Sequence, residues 1–217
     1  MTEPTINHHL TDAVMMAYSA GSLPEAYSLV VACHVSLCRQ CRSALEGYDA
    51  IGGAVLEGVE ETDLSADALS ATFAIINNEP AMETPTRTHM PSIFPAPLQD
   101  YIGGGEDQVK WRFVGGGVKQ AILPISGEAN ARLLYIPAGT EVPDHSHGGL
   151  EMTMVLRGAF SDEVDTFARG DVEFGDENLT HKPVAEVGQD CICLAATNAP
   201  LKFSGFIPKI LQPFIKI

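Results

Sequence analysis

Two groups of residues combine side chains and spacings suited to a divalent transition metal. The first is His145-Ser-His147-Gly-Gly-Leu-Glu151. On an extended chain, residues two apart point to the same side, so the two imidazoles share a face. The Gly148-Gly149 bend lets the Glu151 carboxylate return to the same point. The second group is His34-Val-Ser-Leu-Cys38-Arg-Gln-Cys41. On a helix, positions i, i+4 and i+7 lie on one face, so an imidazole and two thiols converge on one ion. Imidazole with thiolate is a donor set for zinc; imidazole with carboxylate serves zinc, manganese, iron or nickel.

Both groups need partners from elsewhere. A closed tetrahedral zinc site takes four ligands, and His9, or its neighbour His8, would complete the set if the first helix packs on the second. For the His145 group the further ligand should come from a later strand, and His181 is the histidine left downstream. Three imidazoles and a carboxylate leave coordination positions open, which also allows catalysis. Cys33 falls on another helical face and reads as a buried small residue. Cys191 and Cys193, two apart on a predicted strand, face the same side and read as buried structural residues, because a disulfide between them would be badly strained.

The elements that must position these groups differ in kind. Thr11 is an expected N-cap for a helix ending before Gly21, and Ser22-Leu-Pro-Glu25 an expected capping box opening a helix through Cys38. Further helical stretches are expected from Arg42 to about Glu57 and over Asp63–Ile76, with Leu64, Ala68, Leu69, Phe73 and Ile76 on one face. About four helices therefore occupy residues 1–80. Prolines then crowd residues 81–97, which neither helix nor sheet can traverse, and a semi-rigid linker is expected there. From residue 98 to 217, short β-branched runs separated by Gly, Asp, Asn and Pro indicate an all-β sandwich or barrel. A helical zinc-binding segment with few large apolar residues would gain from a structural metal the stability its small core lacks.

Bulk properties narrow the function. Of 217 residues, 45% are hydrophobic and 19% charged, as in a globular protein with a real core. No apolar run approaches the roughly 18 residues of a membrane span, and the first residues lack the pattern of a signal peptide, so a cytoplasmic location is expected. Five clustered cysteines without an export signal fit reduced thiols or metal ligands. The net charge of −15 argues against direct nucleic-acid binding and suits a basic partner. Twelve acidic but only three basic side chains fall in residues 1–90, with Glu57, Glu60, Glu61, Asp63 and Asp67 clustered.

These motifs resemble two known families. Gly139-x5-His145-x-His147-x3-Glu151-x6-Gly158 is similar to the first cupin motif at every spacing. The second cupin motif is matched at Gly170 and His181, while Asp176, Asn178 and Ala185 replace its proline, glycine and asparagine. His9 with His34-x3-Cys38-x2-Cys41 resembles the zinc-binding domain of anti-sigma factors, and the two parts in this order resemble the ChrR family. The resemblance implies zinc on His9, His34, Cys38 and Cys41. It implies a second metal on His145, His147, Glu151 and His181 in a jelly-roll cupin barrel. It further implies an extracytoplasmic-function sigma factor as partner, inhibited by the helical part, with the cupin needed for response to singlet oxygen or organic hydroperoxide. A cupin metalloenzyme of dioxygenase or isomerase type, with a helical oligomerisation module, is the alternative.

Overall fold

The computed structural model describes residues 5–78 and 91–203. Among the described residues there are five α-helices: α1 Asp12–Ser19, α2 Glu25–Leu37, α3 Arg39–Glu57, α4 Ala68–Asn78 and α5 Ala96–Ile102. Thr11 caps α1 as expected, its hydroxyl accepting from the Val14 N–H at 3.3 Å. The expected Ser22–Glu25 capping box does not form. Helix α2 begins after Pro24, and Ser22 instead donates to the Ala17 carbonyl at the end of α1. Glu25 is thereby free to accept from the Tyr101 hydroxyl at 2.8 Å and the Ser126 N–H at 3.0 Å.

A second difference bears on the first metal group. The helix carrying His34 stops at Leu37, and Cys38 is extended, with φ −96° and ψ 108°. Its sulfur accepts the Cys41 N–H at 3.4 Å, acting toward α3 as a serine N-cap would. His34, Cys38 and Cys41 therefore meet at a corner between two helices, not on one helical face.

Among the described residues, twelve strands follow: β1 Arg112–Gly115, β2 Val118–Ile122, β3 Asn130–Ile136, β4 His145–His147, β5 Glu151–Arg157, β6 Ala159–Ser161, β7 Thr166–Ala168, β8 Val172–Gly175, β9 Thr180–His181, β10 Val184–Ala185, β11 Cys191–Thr197 and β12 Leu201–Phe203. They form a six-stranded sheet, β1-β2-β3-β11-β5-β8, and two three-stranded sheets, β10-β6-β7 and β12-β4-β9. All seven residues of β11 are buried, because the large sheet is covered on both sides. Its inward face packs Ile136, Val155, Cys191 and Cys193 against Phe160 and Phe167. Its outward face packs Leu133, Met152, Met154, Ile192 and Leu194 into one core with Leu29, Val30 and Val31 of α2.

The helical segment and the barrel thus share an apolar core. Most of the expected linker, residues 81–90, lies outside the described residues. Beyond it, Phe94 and Leu98 are buried in the shared core, and Pro95 precedes the first turn of α5. The hinge between β7 and β8 is a further contact. Gly170 has φ +95°, and a Cβ there would lie 2.6 Å from Ile6 Cδ1. Gly170→Ala is expected to cost about 1–3 kcal/mol. A thermal melt should show it as a drop of roughly 2–4 °C per kcal/mol.

Candidate metal centres

At the helical corner, ligand atoms of His9, His34, Cys38 and Cys41 all lie within 4.8 Å of one another. His9 Nδ1 is 3.3 Å from Cys38 Sγ and 3.7 Å from Cys41 Sγ. Tetrahedral zinc with ordinary bond lengths separates nitrogen and sulfur ligands by roughly 3.5 Å, so these edges fit. His34 donates from Nδ1 to the Gly170 carbonyl at 2.8 Å. Its Nε2 is buried with no hydrogen-bond partner, leaving a lone pair turned to the cluster. Burial pulls the His34 imidazole down to about 4, holding it neutral as a ligand must be. Burial pushes the Cys41 thiol up to about 11, so a metal must displace its proton. Of the two neighbours left open by sequence, His9 takes the site. His8 turns away, its Nε2 3.1 Å from Asp165. Cys33 is buried apart from the cluster.

In the barrel, β4 brings His145 and His147 inward on the same face, and His181 of β9 pairs directly opposite His145. His181 Nε2 lies 3.2 Å from both His147 Nε2 and His145 Nε2. Three ring nitrogens aimed at one point repel unless a proton or cation sits among them. The outer nitrogens are fixed: His145 Nδ1 donates to the Pro143 carbonyl at 2.8 Å, and His181 Nδ1 to Asp162 at 2.7 Å. Such outer partners set tautomer and ring direction at metal sites. The donor set therefore fits a divalent metal.

Glu151 stands differently from its expected place. Its carboxylate lines the same cavity as His145 and His181, but is not among the atoms that converge. Glu151 and Thr153 share a face of β5, and the Thr153 hydroxyl donates to Oε1 at 3.1 Å while Oε2 lies 3.6 Å from His147 Nδ1. Burial alone would raise the Glu151 carboxyl, but bonding and charge from His147 and His145 hold it below its ordinary value.

Sequence reading placed neither Asp162 nor Glu173 beside His181. Both face His181, Glu173 at 3.1 Å. Their signal was faint, since neither carboxylate belongs to a spaced motif. Burial disfavours a charged His181, yet Glu173 and Asp162 outweigh it and raise the imidazole to about 9. Below that pH a proton competes with metal for the three-nitrogen point. Metal affinity of the barrel should therefore weaken as pH falls, by up to about tenfold per unit. Zinc competition titrations at pH 8 and pH 7 would measure the slope. Asp176, where the second cupin motif has proline, makes the turn into β9 by accepting from the N–H groups of Asn178 and Leu179 at 2.8 and 3.2 Å.

A helical His/Cys cluster seated on a barrel with a three-histidine cluster defines a protein of cupin fold with two clusters able to hold a metal. Residues 102–200 match the family described as the ChrR cupin-like domain. The chain is 53% identical over 213 residues to the anti-sigma-E factor ChrR of Cereibacter sphaeroides, covering 98% of this chain and 100% of that protein. The crystal structure of Rhodobacter sphaeroides SigE in complex with the anti-sigma ChrR matches with TM-score 0.79 and 52% identity, over 89% of this chain and 99% of that one. The chain belongs to the ChrR family of anti-sigma factors. That membership sets it among regulatory proteins, apart from cupin enzymes.

Proposed function

We propose that this protein is a zinc-dependent anti-sigma factor: its helical segment sequesters an extracytoplasmic-function sigma factor, and its cupin barrel governs release. One observation carries the reading. Helix α4 buries none of its own residues, although it is rich in large apolar side chains. Leu69, Phe73 and Ile76 are 71%, 54% and 61% exposed, and Ile51, Val55, Leu56, Val59 and Leu64, in α3 and the stretch between the two helices, are exposed as well. Exposed apolar side chains in this number on one stretch of chain suit a protein interface. The exposed acids Glu57, Glu60, Glu61, Asp63 and Asp67 fall between these residues in the sequence, which matches a partner whose own surface is basic for DNA. The SigE–ChrR complex supplies the precedent for such a partner.

His9, His34, Cys38 and Cys41 would hold zinc, locking the corner between α2 and α3 and so the base from which α4 projects. His145, His147 and His181, with Glu151 from the cavity wall, would hold zinc or another of manganese, iron and nickel. Such a metal supplies Lewis acidity and open positions for a small ligand. The cavity beside it has a volume of about 50 Å³, far below the roughly 300–1,000 Å³ of ordinary ligand pockets. That size supports sensing of a small oxidant rather than turnover of an organic substrate. Among the described residues, no helix is long and apolar enough to cross a membrane, and we place the protein in the cytoplasm with its partner.

On this reading residues 1–80 inhibit and residues 98–217 sense. His145→Ala should leave sigma-factor binding intact while abolishing release by singlet oxygen or organic hydroperoxide. A sigma-dependent reporter, read with and without oxidant, distinguishes this from a structural barrel, for which the variant would respond like the parent.

A further inference from the structure

The two centres are joined by one short run of chain. Starting from the helical centre, His34 Nδ1 donates to the carbonyl of Gly170 at 2.8 Å. The next residue, Asp171, is wholly buried. It accepts the N–H groups of Asn7 and His8 at 2.7 and 2.9 Å, the two residues before His9, and with its second oxygen the Ala168 N–H at 2.8 Å. Val172 then donates its N–H to the His8 carbonyl at 3.2 Å. Glu173, next along, stands 3.1 Å from Nδ1 of His181 in the barrel centre. Four consecutive residues therefore touch a ligand histidine of each centre and fix the approach of a third, His9.

This run has little freedom. Glu173 and Val172 are paired with Thr153 and Met154 in the ladder between β8 and β5, and Gly170 admits no side chain against Ile6. A displacement at one end is carried to the other, because packed strands shift as units and do not deform locally.

We propose that Gly170–Glu173 couples the two metal centres, so that metal in the barrel tightens metal binding at the helical corner, and the reverse. The proposal rests on the reading that both clusters hold metal. Drawing His181 onto a metal moves the ring that Glu173 faces; through Asp171 and Gly170 this sets how well His9 and His34 are aligned. Outer partners of metal-bound histidines alter affinity by about 10–100-fold, and coupling between two binding sites must be equal in both directions.

Cobalt separates the centres, because only the corner with two thiolates gives a thiolate-to-cobalt charge-transfer band. Metal content is measured on one sample of the full-length protein loaded with zinc; a second, stripped sample is titrated with cobalt against a chelator and the corner followed by this band. The expected result is two metals per chain, and corner affinity about tenfold weaker in His145→Ala than in the parent with its barrel loaded. In Asp171→Asn, and in Glu173→Leu, where Asp162 still holds His181, that difference should shrink to about twofold or less. Two metals per chain with equal corner affinities in the parent and His145→Ala overturns the coupling alone. Fewer than two metals per chain overturns the coupling together with the two-centre reading. A tenfold difference that persists in both Asp171→Asn and Glu173→Leu overturns the role of this segment.

Discussion

Replacing Cys38 with alanine is expected to abolish sigma-factor inhibition. Cys38 serves the corner twice, as a proposed zinc ligand and as the cap of α3 through its contact with the Cys41 N–H. Losing a ligand should weaken zinc by more than the roughly 10–100-fold typical of losing an outer partner. Without zinc, α3 keeps its packing on α1 and α2 but loses the anchor at its start, where its only buried residue, Cys41, sits. The base of the α4 arm then loosens, and the sigma factor is no longer held. Cys38→Ser separates the roles, since an hydroxyl still caps a helix but binds zinc poorly. In chelator, Cys38→Ser should exceed Cys38→Ala in stability by about 1 kcal/mol, the usual value of a cap. In zinc, both should fail to inhibit in a transcription assay. Inhibition by either variant at the parent's level would place the inhibitory determinant elsewhere.

Phe73→Asp and Leu69→Asp on α4 should remove binding and leave the fold untouched. Neither side chain is buried in the free protein, so the melting temperature should stay within experimental error of the parent. If these residues anchor the sigma factor, each substitution should cost about 2–4 kcal/mol of binding, roughly 30–1,000-fold in Kd. Isothermal titration with the partner gives the number directly. Neutralising Glu60 and Glu61 should act otherwise, slowing association and flattening its salt dependence with less change in dissociation.

The sequence was most informative where spacing and secondary structure reinforce each other. His145 and His147 lie on one face of β4 because alternation along a strand is fixed by backbone geometry. Thr11 capped α1 for equally local reasons. The errors came where tertiary contacts decided. An unbroken helix through Cys38 satisfied the periodicity, but Cys38 turns extended and caps the next helix. Glu25 had the spacing of a capping box, yet Tyr101 and Ser126, distant in sequence, claimed its carboxylate. Asp162, Asp171 and Glu173 were illegible as site residues because their partners lie far along the chain or in another strand. The burial of α2 against the barrel was equally hidden: its apolar run reads as a core helix without naming the surface that covers it.

Sequestration of a sigma factor by the zinc-loaded chain is open to direct measurement. The direct measurement is run-off transcription by RNA polymerase with an extracytoplasmic-function sigma factor from the same genome, titrated with the full-length protein. Inhibition is expected to be complete near one equivalent and to disappear when a chelator strips the helical corner. Transcription undiminished by an excess of zinc-loaded protein would contradict it.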